Sequence, residues 1–302
     1  MLQSQKNLRG ILLMVLGMAC FVLNDTLVKL ARIHWEAGQI LVVRGVFALV
    51  LLTIWLRASG MMQRLGDVAH PMLLARGGIE ATIAMSFITA LGVMPLADIT
   101  AILMAAPLII TALSMVLFRE RIGWRRWTAV VVGFGGMLLV VRPGGTDIPL
   151  VALALAIFSV IGVGLRDLLT RRIPMDIPSV VIAVTSTIGT LLGGLVLVIS
   201  TGIWRPLGPS ELLYTAGAAT FVILGNLAMI EACRDVDLSV VSPFRYVVIL
   251  WAVLLGIFVF GEWPAPVALL GIALIGASGL YTLHRERVRH REELRASVPD
   301  RG

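Results

Sequence analysis

The sequence predicts an all-α integral membrane protein of ten transmembrane helices, arranged as two inverted five-helix repeats. Three observations carry that expectation. Of the 302 residues, 58% are hydrophobic and only 14% charged, against roughly 45–50% and about 25% in a soluble domain. One aqueous core cannot hide so much apolar surface, whereas a bilayer accepts it. Apolar runs near the roughly 20 residues that a spanning helix needs recur ten times. Finally, the two halves of the chain are weakly alike.

The runs lie at about 10–30, 38–57, 72–91, 96–118, 126–142, 149–169, 178–200, 210–231, 238–260 and 265–283. Turn-formers separate several of them: Pro71, Pro95, Arg142-Pro143-Gly144-Gly145, Pro174, Pro178, Pro206 through Pro209, and Pro264 with Pro266. The first run is too long for a signal-peptide core and lacks a small-x-small cleavage site, so it is expected to remain as a helix. Cys20 and Cys233 fall within or at the end of predicted helices, and no disulfide framework is expected from them.

Orientation follows from Lys and Arg in short loops. With the N-terminus in the cytoplasm, the inner segments hold Lys6, Arg9, Arg57, Arg64, Arg119, Arg121, Arg125, Arg126, Arg171, Arg172, Arg234 and six tail arginines. The outer segments hold Arg32, Arg142 and Arg205. Seventeen against three predicts both termini inside, in the cell inner (plasma) membrane. Trp35, Trp204 and Trp263 fall at predicted outer ends, and Trp55, Trp124 and Trp127 at inner ones. Residues 284–302 mix Arg with Glu at helical spacing and read as a solvated, helical basic extension in the cytoplasm that helps fix topology. The net charge of +7 lies in these loops and this tail, so a nucleic-acid partner is not expected.

The internal likeness divides the chain into a first repeat over 1–142 and a second over 149–283. Phe118-Arg119-Glu120 closes the fourth run as Phe260-Gly261-Glu262 closes the ninth. Glycines then mark both following helices: Gly133 and Gly136, and Gly271, Gly276 and Gly279. Phe21 precedes Lys29 by the same spacing as Phe158 precedes Arg166. Five helices being odd, the second copy enters from the opposite side, a plan that places solute sites at the repeat interface of secondary transporters.

Several further strings carry a family resemblance. They are Asn24-Asp25 with Lys29, Arg44, Pro95-Leu96-Ala97-Asp98 leading to Ala106-Pro107, Phe118 through Trp124, Ser242-Pro243-Phe244-Arg245-Tyr246, and Phe260-Gly261-Glu262. Over about residues 8–283 the chain resembles the drug/metabolite transporter superfamily, in its ten-helix, two-repeat EamA-type branch. That resemblance implies ATP-independent alternating access for a small organic solute, with one repeat rocking against the other. Similar members carry amino acids, riboflavin, S-adenosylmethionine or other metabolites, many of them outward.

Charged groups inside the membrane cost about 2.5–3.5 kcal/mol each on insertion scales, so each needs a partner, a wet cavity or an escape to the interface. Asn24 and Asp25 lie deep in helix one and read as pore-lining or as helix–helix hydrogen-bonding groups. Lys29 shares a face with Asp25 and stands near the outer end, where snorkelling also explains it. Arg44 has no acid three or four residues away on its own helix. Its partner is therefore a group on another helix, with Asp25 or Asp98 the nearest expected, or an anionic group of the solute. Arg76 and Glu80 are spaced to neutralise each other. Arg166 with Asp167, and Glu231 with Arg234, lie near inner ends, where loop-edge solvation explains them as well as a functional role does.

Arg245 and Tyr246 follow Pro243, which is expected to kink helix nine, and Pro107 is placed to do the same in helix four. Trp251 stands one and a half turns further on, able to stack a planar solute or to pack. Gly189 with Gly193, and Ala152 with Ala156, have the spacing of close helix contacts. The candidate substrate and gating residues are thus Asn24, Asp25, Lys29, Arg44, Glu80, Asp98, Arg245, Tyr246 and Trp251. An acid such as Asp25 or Glu80 can carry a proton, which leaves proton coupling open beside facilitation and exchange. No phosphate-binding loop, H-E-x-x-H helix or compact His/Cys cluster occurs. The expected partners are a small organic solute and the lipid bilayer, with no cofactor, metal or catalytic residue. Oligomeric state is not legible.

Overall fold

The computed structural model describes residues 2–106, 109, 124–141, 148–170, 173–174, 176–232 and 242–296. Among them there is no β-strand. Ten α-helices follow one another: α1 (Leu2–Ala31), α2 (Ala37–Ala58), α3 (Pro71–Leu91), α4 (Leu96–Leu103), α5 (Trp124–Val141), α6 (Leu150–Thr170), α7 (Ser179–Thr201), α8 (Pro209–Ala232), α9 (Val247–Phe260) and α10 (Pro266–Ala296). Six of them (α1, α2, α3, α6, α7 and α8) contain apolar stretches of 21 to 24 residues, long enough to cross a bilayer.

Local chemistry sets many of the boundaries. Pro71, Pro209 and Pro266 each occupy the first helical position, where the missing N–H is no loss. Gly202 and Gly261 end α7 and α9 with φ of 65° and 68°, the left-handed region that a glycine enters without strain. The sequence predicted ten spans, and each has a helix here. Helix four, expected over 96–118, is described as α4 and a short continuation to Ala106, with most of its second half, Pro107 included, outside the described residues. Helix nine, expected from residue 238, is a 3-10 turn over Ser242–Tyr246 followed by α9. Pro243 stands second in that turn, and residues 233–241 before it lie outside the described residues, so the kink expected of helix nine falls outside them as well. The stretch between α2 and α3, read as a loop, holds a 3-10 helix over Met61–Ala69.

Packing obeys a two-fold exchange. Replacing each helix by the one five positions later converts the α1–α8 pairing into α6–α3, α2–α8 into α7–α3, and α1–α9 into α6–α4. The α2–α7, α4–α9 and α5–α10 pairings convert into themselves. Contacts within a repeat are sparse beside these. These pairings group eight helices as two four-helix bundles, α1–α2–α8–α9 and α3–α4–α6–α7, each taking two helices from each repeat, with α2 and α7 packed across the boundary as extensively as helices within the bundles. They meet along α2–α7 and α4–α9. Neither repeat packs as a compact body of its own among the described residues.

With lipid tails as apolar as leucine, helix association rests on close van der Waals packing. Small residues supply it. In α5 and α10, a Cβ at Gly136 would stand 2.8 Å from the Gly271 carbonyl oxygen, and one at Gly271 would stand 2.5 Å from that of Gly136. Gly189 lies against the Gly77 carbonyl and Gly193 against Met85 and Ala81, as their spacing predicted. Ala152 and Ala156 are buried. Trp204 and Trp263 are 48% and 78% exposed, fitting an interfacial belt. Trp35 is not part of it: only 2% exposed, it donates its indole N–H to the Pro206 carbonyl at 3.1 Å.

Candidate functional site

The intramembrane charges gather into two clusters. The first begins on α1 with Asn24, whose side-chain amide stands between opposite charges. Its Nδ2 donates to Asp25 Oδ1 at 2.9 Å, and its Oδ1 accepts from Arg44 Nη1 at 3.2 Å. Asn24 is buried, whereas Asp25 and Arg44 are half-buried. Asp25 is two and a half turns from Leu16, a member of the exposed stripe Leu8, Leu12 and Leu16, and so points to the opposite side of α1. That side of α1 faces inward.

Across the bundle boundary, Glu80 on α3 shares the electrostatic field of Arg44 with Asp25. Glu80 lies 3.8 Å from Arg76, as expected, but only 3.3 Å from Arg166 on α6. Arg166 also bonds Asp167 at 2.9 Å. Arg76 donates to Thr170 Oγ1 at 3.0 Å and to Ser186 Oγ. Asp25, Arg44, Arg76, Glu80, Arg166 and Asp167 thus balance three cations with three anions along a chain from α1 to α6. Loop-edge solvation, one reading of Arg166-Asp167, does not describe side chains that are 24% and 37% exposed and bonded to each other.

The second cluster lies at the predicted outer end. Lys29 does not snorkel: it is 9% exposed, forms an ion pair with Glu262, and donates to the Met94 carbonyl at 2.7 Å. Its ammonium also stands 4.8 Å from the centre of the Phe260 ring. The other oxygen of Glu262 accepts the backbone N–H of Leu96 at 2.9 Å. That N–H opens α4 and has no partner within the helix. Asp98, 8% exposed, adds its charge to the surroundings of Lys29 rather than to those of Arg44.

Glu262 is the residue that the candidate set lacks. Its signal was the Phe-x-Glu string closing each repeat's fourth helix. Arg245 is exposed near the end of the 3-10 turn that leads into α9. Tyr246 Oη and Trp251 Nε1 are buried and have no hydrogen-bond partner among the described residues. Among those residues no group of three or more His, Cys, Asp or Glu side chains is placed to hold a metal ion.

Paired bundles of apolar helices with a balanced ionic chain between them are what a solute pathway through a membrane requires. The model of the EamA-like transporter family matches residues 8–142 and again 150–283. The chain belongs to the EamA-like transporter family. The two matches give this EamA-type chain its two repeats, and the family is one of transporters rather than enzymes. A riboflavin transporter of Vibrio cholerae is 26% identical over 95% of this chain and 96% of its own. An S-adenosylmethionine uptake transporter of Rickettsia prowazekii is 22% identical over 93% and 94%. A pseudopaline exporter of Pseudomonas aeruginosa is 26% identical over 88% and 93%. A solved crystal structure shares the fold with a TM-score of 0.62 at 18% identity, covering 91% of this chain and 98% of its own.

Proposed function

We propose that this EamA-type transporter moves a small zwitterionic metabolite across the inner membrane without ATP, binding it between the two bundles at Asp25 and Arg44. The observation that carries the reading is the Asn24 amide. By bonding both neighbours it holds a carboxylate and a guanidinium side by side without letting them collapse into a direct pair. Arg44 keeps N–H groups free for the planar fork that suits a carboxylate. Asp25 offers its second oxygen to an amine.

Sites of this kind exchange sides when the two bundles tilt about α2–α7 and α4–α9. The resemblance to a family with many exporters favours outward transport. The S-adenosylmethionine uptake relative favours the reverse, and its substrate carries the same amine–carboxylate end. Purified protein in liposomes, loaded on either side with radiolabelled amino acids, S-adenosylmethionine or riboflavin, tests both directions. Counterflow of a zwitterion that fails in Asp25→Asn is the expected result. Flux of riboflavin alone, indifferent to Asp25, would overturn the zwitterion site.

A further inference from the structure

We infer that Glu262 is a gating residue: with Lys29 it latches one bundle to the α3–α4 turn of the other, and this latch closes the predicted outer side. The inference rests on the transport reading above and adds to it the group that must let go. Gly261, at φ 68°, ends α9 and turns the chain back so that Glu262 leaves the helix axis. Its backbone N–H returns to the Gly256 carbonyl at 2.9 Å, which fixes the turn.

The carboxylate then faces two partners. Lys29, in the same bundle, takes one oxygen, and the N–H of Leu96, in the other bundle, takes the second at 2.9 Å. Lys29 crosses the same boundary independently through the Met94 carbonyl at 2.7 Å. Two hydrogen bonds thus join the bundles through one ion pair. Asp25 lies one turn away from Lys29 on the same face of α1.

The elements it joins belong to bundles that otherwise meet through α2–α7 and α4–α9. Opening this end must break the bonds to Met94 and Leu96. A contact present in one state only sets the balance between the states. Glutamine at 262 keeps an acceptor for Leu96 but loses the charge that holds Lys29.

The test is a distance measurement on the substrate-free protein in nanodiscs. Cys20 and Cys233 are replaced by serine, and spin labels are attached at Leu213→Cys on α8 and Val93→Cys after α3, both exposed positions. Parent protein should show a dominant short distance. Glu262→Gln should lower the ratio of short to long distances about tenfold, within the usual span of coupling between states. The exchange Lys29→Glu with Glu262→Lys should recover part of the short population.

An unchanged distribution in Glu262→Gln overturns the latch. Should that variant not purify as a monodisperse protein, Lys29→Gln carries the same test. If neither purifies, the pair holds the fold together and the proposal falls. None of these distances depends on which solute is carried, so failure to find flux sinks the transport reading separately.

Discussion

The outer cluster and the central chain both bring opposite charges together inside the helical array, and they differ in what is left over. Around Lys29 and Glu262 each polar group has found a protein partner: a carbonyl, a helix-opening N–H, a ring face. Around Asp25 and Arg44 the amide of Asn24 is spent keeping two charges apart, and both remain half-buried. A saturated cluster stabilises one arrangement of helices. An unsaturated one waits for a ligand, because a buried charge without full partners is costly until something completes it.

The largest effect that would break this contrast belongs to Arg44. Arg44→Lys keeps the charge and loses the fork, and flux should fall about a hundredfold, the loss expected when a charged bidentate bond worth about 3 kcal/mol goes. The spin-label distances should stay at parent values. Flux near that of the parent would show that the guanidinium only bridges helices.

A second test lies where the central chain crosses into α6. Glu80→Gln removes the anion shared by Arg76 and Arg166, leaving two cations close together. Thermal unfolding in detergent should show destabilisation, and adding Arg166→Gln should recover part of it. Two additive losses would mean that the 3.3 Å contact carries no coupling energy.

A smaller effect is expected at the outer end. Gln39 is fully buried and exchanges two hydrogen bonds with the backbone of Arg205, at 2.9 and 2.8 Å. Gln39→Ala should cost about 1–3 kcal/mol for the stranded backbone groups, read as a lowered unfolding temperature. An unchanged midpoint would show that water replaces the amide there. The smallest effect is on activity itself. Leu207→Cys should accept a membrane-impermeant label from outside and Ser59→Cys should not, with flux unaltered in both; the reverse pattern would invert the assigned sides.

Spans, repeat and close-packing glycines were legible in the sequence because each is written locally. Twenty apolar residues suffice for a span, and Gly189 with Gly193 mark a helix face whatever lies opposite. The site was legible only in part. Asn24, Asp25 and Arg44 stood out because a polar group in an apolar run costs energy, a fact visible one helix at a time. What each one touches was not visible. Lys29 pairs with a residue 233 positions away, and nothing near either residue specifies that meeting. Arg166 looked like a loop-edge residue because its acid partner Glu80 is on α3. The exchange of helices between bundles was hidden for the same reason: repeats are a property of sequence order, bundles of packing.

α10 runs unbroken from Pro266 to Ala296, so the helical extension continues the last apolar helix without a break. At 1.5 Å per residue its last thirteen residues project about 20 Å beyond the expected span. A rigid rod of that length turns a tilt of about 10° at the membrane into a sweep of about 3.5 Å at its tip. Because α10 is locked backbone to backbone against α5 through Gly271 and Gly136, the tip is an external pointer to the attitude of that pair.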